Sequence, residues 1–167
     1  MKALRVLVGT VLAAACTIAA AAARLPASPD FFLYPVADAS RGGAAILTML
    51  AGLLAGLTED ALTVPARLLG LHAFAKILIG YLLATLGART VVEKPLAVGL
   101  LLSGAVLLES GILLVLLWLL RGQLLPPRPE ALAWRVAATG LVGAALHHAS
   151  RVPWRARREA RRRRRLS

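Results

Sequence analysis

Residues 48–81, TMLAGLLAGLTEDALTVPARLLGLHAFAKILIGY, decide the fold. They read as an apolar helix, a short turn with polar ends and a second apolar helix. Thr48, Gly52, Gly56 and Asp60 are four residues apart, so a helix aligns them as one small, smooth face that ends on a carboxylate. Across the turn, His72, Lys76, Gly80, Ala84 and Ala88 repeat the spacing, with ionisable groups near one end. Two faces of this kind can pack backbone to backbone, so Gly52, Gly56 and Gly80 are expected at a helix contact.

The rest of the chain suits a lipid solvent. Hydrophobic residues make up 59% of the 167 positions and mean hydropathy is +0.74, above the roughly 45–50% apolar content of a soluble domain. An integral membrane protein follows. About six spans of ~20 residues would consume most of the chain, leaving no room for a soluble domain of ~50 residues or more. The single Cys16 excludes an internal disulfide and a cysteine-based zinc site.

At the N-terminus, Lys2 and Arg5 precede an apolar run over residues 3–23, near the length that crosses a bilayer. It is expected to be an uncleaved first helix; the alternatives are a secretory signal with Ala-rich cleavage options before Arg24 and, less simply, a lipid-modified Cys16. Pro26, Pro29 and Pro35 then punctuate a stretch whose apolar middle, residues 31–37, is too short for an ordinary span and reads by hydropathy as a loop. Clear spans follow at 43–57, 68–86, 96–120 and 132–149, joined by short charged junctions that force antiparallel neighbours.

Charge fixes the parity. Nine of the twenty Lys and Arg residues lie within 151–165, opposed only by Glu159. If residues 31–37 do not cross, five spans send that tail outward. If they do cross, six spans keep Lys2, Arg5, Arg41, Arg89, Lys94 and the tail together on the cytoplasmic side. The expected fold is therefore an all-α polytopic membrane helix bundle of six membrane-crossing elements, the second one short, N-in and C-in. Residues 1–150 form the transmembrane domain and 151–167 a cytoplasmic arginine-rich tail.

No convergent nucleophile, acid–base pair, metal set or Gly-rich phosphate loop stands out, so no catalytic, cofactor or metal residue is assigned and the chain is not expected to be an enzyme. Adjacent His147 and His148 point about 100° apart on a helix and make no two-ligand face. Lys76 and Glu109 are different, because an ionisable group inside an apolar run is costly without a partner. Both are expected roughly 10 Å from the outer ends of oppositely running helices, close enough for an ion pair, with snorkelling the alternative for Lys76. Asp60 reads either as a solvated helix-end carboxylate beside Glu59 or as a contact to a turn or partner. In the tail, Arg155, Arg157, Arg158, Arg161, Arg162, Arg163, Arg164 and Arg165 are assigned to anionic membrane lipids, at about 1 kcal/mol per basic residue. The stacking aromatics of a dedicated nucleic-acid binder are missing apart from Trp154, so no specific nucleic acid is expected.

The order Gly52-x-x-x-Gly56-Leu57-x-x-Asp60, Leu69-Gly70-Leu71 and a helix closing on Gly80-Tyr81 resembles the rod shape-determining protein MreD family. The resemblance runs over residues 29–148 and includes Pro29-Asp30, Arg41-Gly42, Glu109, Arg128-Pro129-Glu130 and Thr139-Gly140-Leu141. Pro65 and Arg67, where the family often has a short Gly/Ser turn, and the long arginine tail depart from it. The resemblance implies that residues 31–37 form the family's second, weakly hydrophobic membrane element. It also implies that Asp60 makes a specific contact, and that Gly70 and Tyr81 join the packing or partner-binding set. It further implies a non-catalytic scaffold of the bacterial inner membrane that supports peptidoglycan synthesis and cell shape. Its partners would be an MreC-like periplasmic protein, MreB-like actin filaments, a SEDS glycosyltransferase and a class B penicillin-binding transpeptidase. The family is similar in fold to the six-helix substrate-binding subunits of energy-coupling-factor vitamin transporters, which supply the alternative. A binder of that kind lines its cavity with aromatics and polar groups, whereas only 5% of residues here are aromatic.

Overall fold

The computed structural model describes residues 2–23, 28–41, 44–62, 70–89, 94–122 and 128–151. The arginine tail beyond 151 and the junction containing Pro65 and Arg67 lie outside the described residues. Among the described residues six helices follow in order: α1 (Lys2–Ala22), α2 (Leu33–Ser40), α3 (Ala45–Leu62), α4 (Leu71–Arg89), α5 (Pro95–Arg121) and α6 (Pro129–Arg151). Three helical stretches, Ala3–Ala22, Ala45–Leu62 and Pro95–Leu120, are long and apolar enough to cross a membrane, and Leu71–Leu86 is a shorter apolar stretch.

Burial is arranged the opposite way from a water-soluble bundle. Large apolar side chains point outward, among them Leu7 and Val11 of α1, Ile46 and Leu50 of α3, Phe74 of α4 and Leu100 of α5. Buried positions include many small or polar residues, such as Ala51, Ala55, Ala73, Ala75, Thr48 and Lys76. A hydrocarbon solvent favours this pattern, because apolar burial gains nothing there and close backbone approach gains van der Waals contact.

The α3–α4 hairpin takes that approach furthest. Gly52 lies against the Lys76 carbonyl and Gly56 against Ala73, while a Cβ on Gly80 would stand 2.7 Å from the Thr48 oxygen. The pairs 48/80, 52/76 and 56/73 fix an antiparallel register. α3 runs on through Glu59 and Asp60 to Leu62, one turn beyond the expected end at 57. Both acids therefore belong to a helix rather than to a junction. α5 and α6 form a second antiparallel pair in which Gly99 faces Gly140 and the Ser103 hydroxyl donates to the Val136 carbonyl at 3.1 Å.

The stretch that hydropathy reads as a loop contains a helix at the centre of the molecule. α2 contacts α1, α3, α4 and α5 and buries Leu33, Pro35, Val36, Ala37, Ala39 and Ser40. Its 8 residues rise only about 12 Å, so the helix alone does not cross a bilayer. It is seeded by Asp30, whose Oδ1 accepts the Phe32 N–H at 3.0 Å. α5 starts with Pro95 in its first turn and stops at Gly122, whose φ of 64° turns the chain while its N–H caps the Trp118 carbonyl at 2.8 Å. Beyond Glu109, α5 continues for about three turns and carries exposed Val115, Trp118 and Leu119.

Candidate functional site

Six ionisable side chains converge where α3, α4, α5 and α6 meet the residues just ahead of α2. Lys76 is the centre, with none of its side chain exposed. Its Nζ lies 2.7 Å from Asp30 Oδ2, 2.8 Å from Glu59 Oε2 and 2.6 Å from Glu109 Oε1. The contacts to Asp30 and Glu109 are hydrogen bonds, and Glu59 completes the cage as an ion pair. Lys76 is therefore buried and paired, not snorkelled to a surface.

Arg135 of α6 closes the cluster from the other side. Its Nη2 lies 3.2 Å from Asp30 Oδ2 and 2.9 Å from Glu59 Oε1. His72, one turn before Lys76 on α4, places Nδ1 3.2 Å from Glu109 Oε1 and 3.7 Å from Glu59 Oε2. The Asp30 backbone N–H donates to the Thr139 hydroxyl at 2.8 Å, which ties the start of α2 to α6. Each hydrogen bond to a charged group contributes about 1.5–3 kcal/mol, but desolvating the ions offsets much of that. The larger effect is on register, because displacing any one element would strand a buried charge.

Glu59, His72 and Glu109 bring oxygen and nitrogen atoms within 4.8 Å of one another. Lys76 Nζ occupies the space between the carboxylates, so the arrangement is a cage for an ammonium and not a metal centre.

Asp60, the neighbour of Glu59, does a separate job. Its Oδ2 accepts the N–H groups of Gly70 at 2.9 Å and Ala73 at 3.4 Å, and its Oδ1 accepts that of His72 at 3.3 Å. It caps the N-terminus of α4 from the last turn of α3, where the helix dipole favours a negative charge. Gly70 makes this possible with a φ of 101°, a left-handed conformation that other residues avoid.

The structure brings Lys76 and Glu109 together, though not at matched distances from their helix ends: Lys76 sits in the second turn of α4, while α5 runs about three turns past Glu109. Gly52, Gly56 and Gly80 lie in the α3–α4 contact. Two members of the packing set lie elsewhere. A Cβ on Gly70 would meet nothing within 4 Å, so this glycine serves the turn and not a helix contact. Tyr81 is 49% exposed on the outer surface of α4, because its place in the helix turns it away from Gly80. The assigned tail residues, Arg155, Arg157, Arg158 and Arg161 to Arg165, lie outside the described residues.

Sequence reasoning misses Asp30 and Glu59, which pair with Lys76, and Arg135, which pairs with those two carboxylates. Asp30 stands at the head of a segment with loop-like hydropathy, and Glu59 looks like half of a solvated acidic pair. Arg135 lies in the second turn of α6, inside the largely apolar run 132–149, which is the one signal that points to it. No family model, curated protein or solved structure matches the chain.

Proposed function

We infer that the chain is a non-catalytic membrane scaffold of the bacterial inner membrane. It would hold the cell-wall elongation machinery together and so support peptidoglycan synthesis and rod shape. One observation carries this reading: Lys76 and the carboxylates buried around it are committed to one another. The outer surface offers large apolar side chains and, along α5–α6, an open apolar groove bounded by Leu96, Leu100 and Leu141 over Gly99, Ser103 and Gly140. Such a surface suits other membrane helices better than it suits a polar substrate.

The resemblance of residues 29–148 to the MreD family supplies the partners: an MreC-like protein, MreB-like filaments, a SEDS glycosyltransferase and its transpeptidase. The topology that fits is six crossings with both ends cytoplasmic. In that arrangement the residues leading into α2, together with α2 itself, return the chain across the bilayer. The arginine tail then meets the anionic inner leaflet.

Affinity purification of the full chain in mild detergent tests the reading. Cell-wall synthesis proteins are expected to co-purify. Recovery of an ATPase-driven transporter module or of a tightly held vitamin would replace it with the transporter alternative.

A further inference from the structure

The groove between α5 and α6 has a volume of about 620 Å³, within the range of a small-molecule site. Its lining runs from Pro95 to Ser103 on α5 and from Ala144 to Ala137 on α6, about 12 Å along the helices. The one hydroxyl among the described lining residues, that of Ser103, donates to the Val136 carbonyl at 3.1 Å. A ligand in the groove therefore meets hydrocarbon and finds no side-chain hydrogen bond there.

The groove also keeps a third helix at a distance. Close approach of two helices needs small residues turned toward the newcomer, and here they are spent between α5 and α6. A Cβ on Gly99 would stand 2.8 Å from the Gly140 carbonyl oxygen and 3.2 Å from the Ala144 Cβ. At the edges stand Leu96, Leu100 and Leu141, which are 66–72% exposed. Flexible leucines beside a smooth floor accommodate a flexible hydrocarbon chain better than a helix backbone.

One end of the groove is basic. Exposed Lys94 immediately precedes Pro95, and α6 continues from Ala144 past exposed His148 to Arg151. The sequence then carries nine arginines within 151–165, opposed only by Glu159. An apolar slot with cations at one end matches a hydrocarbon chain with an anion at one end.

We propose that the α5–α6 groove binds an anionic glycerophospholipid, with one acyl chain along the groove and the phosphate at the Lys94 end. Apolar burial gains nothing inside a bilayer, so shape selects the chain and the basic end selects the headgroup. In the six-crossing arrangement that end meets the cytoplasmic leaflet, where anionic lipids reside. The site goes beyond the scaffold reading and does not depend on which proteins the chain assembles with.

The test uses the purified full chain alone in phosphatidylcholine nanodiscs, so its failure is separate from a failure of the co-purification experiment. Two probes are compared, a phosphatidylglycerol and a phosphatidylcholine that carry the same photoactivatable diazirine in one acyl chain. Mass spectrometry reads the crosslinked peptides, with the exposed α1 face around Leu7 and Val11 as the reference for ordinary shell lipid. Relative to α1, the phosphatidylglycerol probe is expected to label residues 95–103 and 137–144 at least about fivefold more than the phosphatidylcholine probe, the preference that one basic residue gives near an anionic lipid. Lys94→Gln, at an exposed position, should lower that preference by about fivefold. Ala137→Phe, at an exposed lining position, should reduce groove labelling by both probes and leave α1 labelling unchanged. Equal labelling of the groove by the two probes would overturn the proposal, as would an unchanged preference in Lys94→Gln or unchanged groove labelling in Ala137→Phe. A groove that neither probe labels would also overturn it, and a dimer in native electrophoresis would then assign the groove to a second copy of the chain.

Discussion

Lys76 and Glu109 look like equal partners in the sequence, but their surroundings make them unequal. Lys76→Met leaves three carboxylates facing one another and is expected to cost about 3–5 kcal/mol, the range for stranding a buried charge. Glu109→Gln leaves Lys76 with Asp30 and Glu59 and is expected to cost far less; thermal unfolding of the two purified variants in detergent at neutral pH checks the order. Asp60 gives a second residue-scale prediction. Asp60→Ala removes the acceptor for the Gly70, His72 and Ala73 N–H groups, so a loss of about 0.5–2 kcal/mol is expected, the usual range for an N-cap. Hydrogen exchange should rise at the first turn of α4 and not in α6. The sequence exposes Lys76 and Glu109 because charge inside an apolar run is conspicuous. It hides Asp30 and Glu59 because a carboxylate at a helix end looks the same whether it faces water or a buried ammonium.

At the scale of elements, glycines separate into those that permit a contact and those that do not. Gly56 lies against the Ala73 backbone, which cannot move aside as a flexible side chain could, whereas Gly104 of α5 has nothing within 4 Å of where a Cβ would stand. Gly56→Ala is therefore expected to destabilise by about 1–3 kcal/mol through overpacking. Gly104→Ala should be neutral or should gain up to about 1 kcal/mol of helix propensity. Equal effects of the two on melting temperature would contradict a close α3–α4 contact. The periodicity of small residues makes this hairpin legible, because a four-residue spacing specifies a face without knowledge of the partner. α2 is legible only in part. Its 8 residues are too few for a hydropathy signal, and it owes its place to contacts with four other helices that no local pattern encodes.

For the whole molecule, the proposed six crossings put position 167 and position 2 on the same side. Single-cysteine probes at those positions, in a background lacking Cys16, are expected to react only after the inner membrane is made permeable. Labelling of position 167 from the periplasmic side while position 2 stays protected would require odd parity. The proposed topology rests on the arginines rather than on hydropathy, since α2 carries no span-length apolar run. The unequal helix lengths have an effect outside the protein. The apolar part of α5, Pro95–Leu120, has 26 residues and that of α4 runs only from Leu71 to Leu86, about 39 Å and 24 Å, against a hydrocarbon thickness of about 30 Å. In the proposed six-crossing arrangement the bilayer thickens or α5 tilts along one flank, while along the α4 flank the bilayer thins. The chain therefore imposes a lopsided elastic deformation on the surrounding lipid. A neighbour whose own hydrophobic height is tall on one side is drawn to the α5 flank, even before any side chains touch.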